Sequence, residues 1–192
     1  MTQPVDRPQS RGFALVELIV VMVLIGILAS IAYPAIDSLR YSAESAMMQI
    51  GTTLQAAQRE AVSRQHDVRV VFDAANGRLR VIYDLNSNGT ADGGERVRGV
   101  ALEPQIVFGR GGAPARPFGG GPVTLSDGSQ TITFHRNGAA SASGGLYLTS
   151  VRAAAGETRR VRDARAIEIV RATGRIEWFR YTADGSTWLR GF

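Results

Sequence analysis

The sequence predicts an α+β protein in which a long N-terminal helix is followed by an antiparallel β domain. Three observations predict it. Residues 18–32 read LIVVMVLIGILASIA, a single serine among apolar side chains. Residues 35–65 repeat apolar side chains every three or four positions, and after His66 the period falls to two. A chain of 192 residues is room for one domain with an appended helix. Its 44% hydrophobic content supports a packed core and excludes wholesale disorder.

Each element follows from its own pattern. Extended to 13–33, the apolar run holds 21 residues. At 1.5 Å per residue that is a helix of roughly 30 Å, about the thickness of the bilayer hydrocarbon. Buried core helices seldom exceed about 14 continuous apolar residues, so the run reads as a transmembrane segment. Residues 1–12 carry Arg7 and Arg11 against Asp6. The positive-inside rule keeps that end cytoplasmic and sends the remainder outward. A secretory signal cut near Ala29-Ser30-Ile31-Ala32 is the alternative reading. Glu17 interrupts the run, and a carboxylate there costs about 2.5–3.5 kcal/mol, so it needs a partner or a task.

Residues 34–66 continue as an amphipathic helix with one buried stripe: Ile36, Leu39, Ala43, Met47, Ile50, Leu54, Ala57, Ala61 and Val62. Pro34 ends or kinks the preceding helix, and Gly51 weakens the middle by about 1 kcal/mol. One helix is thus expected to start in the membrane and end as the spine of a soluble domain. Residues 67–192 form that domain. Alternation predicts strands at 68–72, 78–83, 131–134, 146–149, 166–170 and 175–179. Asn76-Gly77 and Thr173-Gly174 are turns between the first and the last pair. Residues 109–122 (GRGGAPARPFGGGP) lack periodicity and are expected to form a mobile surface loop.

Composition removes several chemistries. Cysteine is absent, which excludes disulfides, thiolate metal sites and cysteine nucleophiles. All 22 basic residues are Arg, so Schiff-base lysines and the Walker lysine are excluded, and 109–122 also lacks a phosphate-loop ending. The net charge of +5 permits weak attraction to anionic lipid or nucleic acid. His66 and His135 are the only imidazoles, and Asp67 diverges from its neighbour His66 on a strand. No nucleophile elbow accompanies them, and the chain reads as a non-enzyme.

Residues 84–95 stand apart. Asp84, Asn86, Asn88, Thr90, Asp92 and Glu95 fall at positions 1, 3, 5, 7, 9 and 12, with Gly89 at position 6. That is the spacing of an EF-hand loop, where a hard cation takes six to eight oxygens. The next residues, RVRGV, are no amphipathic helix, so the expectation is a Ca²⁺-type loop within a β-hairpin. An ordinary Asn/Asp/Gly turn is the alternative.

Arg11-Gly12-Phe13-Ala14-Leu15-Val16-Glu17, the apolar run and Pro34 together resemble a type IV prepilin. The resemblance implies cleavage by a prepilin peptidase between Gly12 and Phe13, methylation of the new N-terminus and a pilin-like fold. Ala14 departs from the family, where Thr or Ser is commoner. Cleavage would leave an α-amine near Glu17, and a neighbouring subunit's amine paired with that carboxylate would fix an axial register. The β region resembles minor pseudopilins of type II secretion and FimT-like minor pilins, through Ile132-Thr133-Phe134, Asn137-Gly138, Ser143-Gly144-Gly145-Leu146-Tyr147-Leu148 and Ala172-Thr173-Gly174-Arg175-Ile176.

This resemblance implies a structural subunit of a type II secretion pseudopilus taking part in protein export. It would lie in the bacterial inner membrane with its C-terminal domain in the periplasm. Partners would be other pseudopilins or pilins, an inner-membrane assembly platform and the prepilin peptidase. The alternative is a FimT-like minor pilin acting in pilus assembly or DNA uptake. That branch uses a Gly-Arg-x-Arg motif, whereas Gly174-Arg175-Ile176-Glu177 puts a carboxylate in place of the second Arg. The seven Arg between 152 and 175 against Glu157, Asp163 and Glu168 still give a local +4.

Overall fold

The computed structural model describes residues 15–32, 38–182 and 187–191. The chain divides into two compact units, 1–37 and 38–192. In the first, α1 (Leu15–Ala32) is 18 residues long. In the second, α2 (Ser38–Arg64) leads into β1 (Asp67–Asp73), β2 (Arg78–Asp84), β3 (Val97–Ala101), β4 (Ile106–Phe108) and β5 (Val123–Leu125). There follow β6 (Thr131–Phe134), β7 (Gly144–Ser150), α3 (Val151–Ala154), a 3-10 turn (Thr158–Asp163), β8 (Arg165–Val170), β9 (Arg175–Thr182) and β10 (Thr187–Arg190). The expectation of a single helix through Pro34 falls on residues outside those described.

The strands form two antiparallel sheets, where the sequence suggested one. The first has the order β3-β2-β1-β6, the second β10-β9-β8-β7-β4, with β5 also pairing β7. Alternation sets the inward faces. In β1, Val68, Val70 and Phe72 are buried and face the core, opposite Tyr83, Val81 and Leu79 of β2. In the second sheet Leu146, Leu148, Ile167 and Ile169 do the same.

Both sheets pack on α2 through Ala43, Ala46, Met47, Ile50, Leu54, Ala57 and Ala61. Val62, expected on this stripe, is instead 42% exposed, and Leu39 is half-buried. Gly51 is buried because the Trp178 indole lies on it; an added Cβ would stand 2.7 Å from the ring. The local loss of helix propensity thus makes room for an aromatic contact. The helix stops where Gln65 takes a left-handed φ of 58°, while its side-chain amide donates to the Val62 carbonyl at 2.7 Å.

Four strands escaped the period-two reading for identifiable reasons. β4 and β5 are three residues each, too short to show a period. β3 exposes all but Val100, and β10 is exposed apart from the half-buried Trp188.

Candidate functional site

In α1 every side chain from Leu15 to Leu28 is exposed, and all but Glu17 and Gly26 are large and apolar. Glu17 sits in the first turn, where the amide dipoles favour a negative charge. Eighteen residues make about 27 Å of helix. Among the described residues no helix is long and apolar enough to cross a membrane. Gly12, Phe13 and Pro34 lie outside the described residues.

The 84–95 segment closes on itself. Asp84, 2% exposed at the end of β2, accepts the N–H groups of Asn88 at 3.1 Å and Gly89 at 2.8 Å. Asn88 Oδ1 accepts from the Thr90 N–H and hydroxyl, both at 2.8 Å. Asp92 Oδ2 accepts from the side-chain amides of Asn86 at 2.9 Å and Asn88 at 2.6 Å. Those two bonds hold its carboxyl below the usual aspartate pKa. Glu95 accepts from the N–H groups of Leu85 at 3.0 Å and Asp92 at 3.1 Å, closing the ends.

Gly89 supplies the turn with φ +78°, and the Arg69 guanidinium donates to its carbonyl. All six residues expected as ligands are therefore brought into one loop. Among the described residues, however, no three His, Asp or Glu side chains form a group able to hold a metal ion. The carboxylates are engaged by amide donors, which a cation would have to replace.

The two histidines are arranged differently from expectation. His66 Nδ1 lies 3.1 Å from the Asp67 carbonyl oxygen, while the Asp67 carboxylate places Oδ2 2.9 Å from His135 Nδ1 across the β1–β6 seam. Ser141, near His135, has its Oγ accepting the Thr133 N–H at 3.0 Å.

The Gly174-Arg175 pair serves the fold. Gly174 has φ +61°, and a Cβ there would stand 2.3 Å from the Gly138 carbonyl oxygen and 2.6 Å from Gln58 Nε2. That amide donates to the carbonyls of Gly138 at 3.0 Å and Thr173 at 2.7 Å, pinning both turns to α2. The Arg175 guanidinium pairs with Glu177, which also holds Arg190 at 2.9 Å.

The seven Arg from 152 to 175 do not share one face. Arg165, 2% exposed, donates to Glu44 Oε2 at 2.8 Å near the start of α2. The Thr173 turn meets α2 at Gln58, fourteen residues and about 21 Å further along the helix.

Sequence reasoning missed one built feature. Residues 109–122, expected to be mobile, form a strap over the outer face of the second sheet. The Tyr147 hydroxyl accepts the Arg116 N–H at 2.6 Å and donates to the Gly119 carbonyl at 2.7 Å. Phe118 stacks on Tyr147 with centroids 4.9 Å apart, in space a Cβ at Gly145 would fill. Trp188 packs on the other side at 5.8 Å and donates from Nε1 to the Pro114 carbonyl at 3.0 Å. The Arg116 guanidinium lies 3.4 Å over the Phe179 ring and 2.9 Å from Glu168. The signal was present in Gly145 and Tyr147, outward-facing positions with one absent and one large side chain.

Known proteins resemble this chain in both parts. Residues 7–33 match the prokaryotic N-terminal methylation motif, a stretch that contains Gly12, Phe13 and Glu17. The pilin-like protein PilA1 of Thermus thermophilus is 28% identical over 138 residues, which cover 62% of this chain and 88% of that one. The minor pseudopilin EpsH from the type 2 secretion system of Vibrio cholerae aligns with a TM-score of 0.41 and 14% identity. That alignment covers 78% of this chain and 96% of EpsH. For the type IV minor pilin FimU of Pseudomonas aeruginosa the values are 0.45 and 18%, covering 71% and 87%. Residues 46–166, well over half of the sequence, match the type II transport protein GspH, and the chain belongs to the GspH family of structural pseudopilins.

Proposed function

We propose that the chain is a minor pseudopilin of a type II secretion system, a subunit that joins other pilin-like chains in an inner-membrane pseudopilus. The observation that carries this reading is the order of the two matched regions, a methylation motif at 7–33 ahead of a GspH domain at 46–166. Prepilin peptidase cleaves between Gly12 and Phe13, and residues 13–33 hold the subunit in the membrane until it is assembled. Glu17, the one charge in α1, takes the terminal amine of a neighbouring protomer and so fixes the axial step. Pro34 relaxes the helix where it leaves the apolar segment. The mass of the mature chain tests the processing step: Gly12→Ala leaves the full-length precursor, and normal maturation of that variant refutes it. Glu17→Ala is expected to insert normally yet fail to enter the filament, and unchanged incorporation removes the proposed register contact.

The 84–95 loop is proposed to take one Ca²⁺ through Asp84, Asn86, Asn88, Thr90, Asp92 and Glu95. Support comes from the closed loop and the buried Asp84 at its base, and the effect would be to order this end of the first sheet. Capture of DNA as a pilus subunit is the less favoured reading, because Arg175 is engaged by Glu177.

A further inference from the structure

The first sheet ends at β3, and among the described residues no strand covers its far side. The phase of the β2–β3 ladder fixes which backbone groups are left over. Tyr83 donates its N–H to the Arg96 carbonyl at 3.0 Å, and Leu102 donates to the Gly77 carbonyl at 2.9 Å. Arg96, Arg98, Val100 and Leu102 therefore turn their backbone groups towards β2. The N–H and C=O groups of Val97, Gly99 and Ala101 point away from the sheet, and all three residues are exposed.

Gly99 serves no purpose within the fold. It lies in the middle of β3, its φ is not left-handed, and nothing stands within 4 Å of where its Cβ would be. A glycine there weakens the strand while supplying neither a turn nor a packing contact, and it suits the close approach of another chain. On the outer face of the sheet Gly99 pairs with Arg80 and Ala101 with Arg78. Each arginine thus has only a hydrogen or a methyl group between it and the open edge. Arg78 and Arg80 are exposed and make no hydrogen bond or ion pair among the described residues. Asp73, across from Arg78 on β1, is taken by the Asn76 amide at 2.8 Å. The next pair along the same face, Ile82 and Val97, is apolar, with Val97 49% exposed.

We propose that the β3 edge takes an extended acidic segment of another protein as a fifth strand of this sheet. Carboxylates at two alternate positions would stand opposite Gly99 and Ala101, and an apolar residue opposite Val97. Neighbouring strands lie about 4.8 Å apart, so the added strand stands about 10 Å from β2, a gap that an arginine and a glutamate side chain span together. Arginines that only guarded the edge against pairing would need no glycine beside them. A second copy of this chain does not supply the segment, because no two acidic residues of the sequence stand two apart. Such an edge would serve the β domain whether or not it is carried in a pseudopilus.

The test uses the full isotope-labelled chain in detergent with the peptide Thr-Glu-Thr-Glu-Thr-Val-Thr as probe. In an antiparallel register its glutamates fall opposite Ala101 and Gly99 and its valine opposite Val97. At millimolar peptide, amide exchange at Val97, Gly99 and Ala101 is expected to slow. Exposed ion pairs change binding by about threefold each, so the peptide with glutamine for both glutamates should bind about tenfold more weakly. Arg78→Gln/Arg80→Gln should bring the glutamate peptide to that same level. Gly99→Val should raise the melting temperature of the chain, since valine suits a strand, yet weaken the glutamate peptide at least fivefold by closing the path of Arg80.

Equal binding of the two peptides, or a Gly99→Val chain that binds like the parent, overturns the proposal. So does a response at other amides with Val97, Gly99 and Ala101 unmoved. Absence of binding at several millimolar peptide also overturns it and leaves β3 an edge that its arginines keep unpaired.

Discussion

Tyr147→Phe isolates the hydrogen bonds that hold the strap from the stacking that accompanies them. The phenol contributes one accepted bond at 2.6 Å and one donated bond at 2.7 Å, and its ring is fully buried. A net hydrogen bond is worth about 1 kcal/mol, and an unsatisfied buried group costs about 1–3 kcal/mol. The strap backbone lies near the surface and can take water in part, so the loss should be about 2 kcal/mol. For a unit of this size that lowers the melting temperature by about 4–8 °C. Tyr147→Leu also removes the contacts with Phe118 and Trp188 and should cost about 3–5 kcal/mol.

The assay is thermal unfolding of the full chain in detergent, run beside limited trypsin digestion. Trypsin reports on the strap directly. Arg110-Gly111 is a cleavable bond within it, while the bond after Arg116 is protected by Pro117. Cleavage after Arg110 should accelerate in Tyr147→Phe at a temperature where both proteins remain folded. Burial pushes the Tyr147 phenol up, since the neutral form is the one the fold accommodates. Its contribution is complete below the ordinary tyrosine pKa and is lost as pH rises through the raised folded value. In strong alkali the melting temperature should therefore fall further in the parent than in Tyr147→Phe. If Tyr147→Phe melts and digests like the parent, the strap is held by something else and the reasoning is wrong.

Gly174→Ala should destabilise the domain by about 2–4 kcal/mol, because it combines a left-handed backbone with a collision against the Gly138 carbonyl. Gln58→Ala should cost about 1–2 kcal/mol through the same two turns, both read by chemical denaturation. Millimolar Ca²⁺ should raise the melting temperature of the parent but not of Asp84→Ala; a parent that does not respond refutes the cation reading. Without metal, the side-chain amide NMR signals of Asn86 and Asn88 should stay fixed at pH 5 and shift only below the ordinary aspartate pKa. The depressed Asp92 carboxyl keeps its amide partners until pH falls through its folded value.

What could be read from the sequence was local. The α2 stripe from Ala43 to Ala61 and all six expected strands are present, because each rests on a period set by neighbouring residues. The 84–95 ligand spacing likewise forms a single loop, since a twelve-residue turn can satisfy its own amides. What could not be read was long-range. Whether the strands make one sheet or two depends on β7 pairing with β4 and β5 rather than with β6, a choice no periodicity encodes. Asp67 finds His135 sixty-eight residues away, and Glu44 finds Arg165 at a separation of 121. Val62 failed for a simpler reason. It lies near the helix end, beside the Gly138 turn rather than over either sheet.

The residues that make the β region recognisable are largely ones whose absent side chains admit something else. Gly145 admits the Phe118 ring, Gly144 the Thr124 carbonyl, and Gly174 the Gly138 carbonyl with the Gln58 amide. Such positions record how the two sheets, the strap and α2 close on each other. They carry no charge and are taken up by contacts within the domain. This explains why Gly174-Arg175 is a poor guide to nucleic-acid binding here. The glycine is required by packing, and the arginine is balanced by Glu177, which also ties down Arg190 of β10.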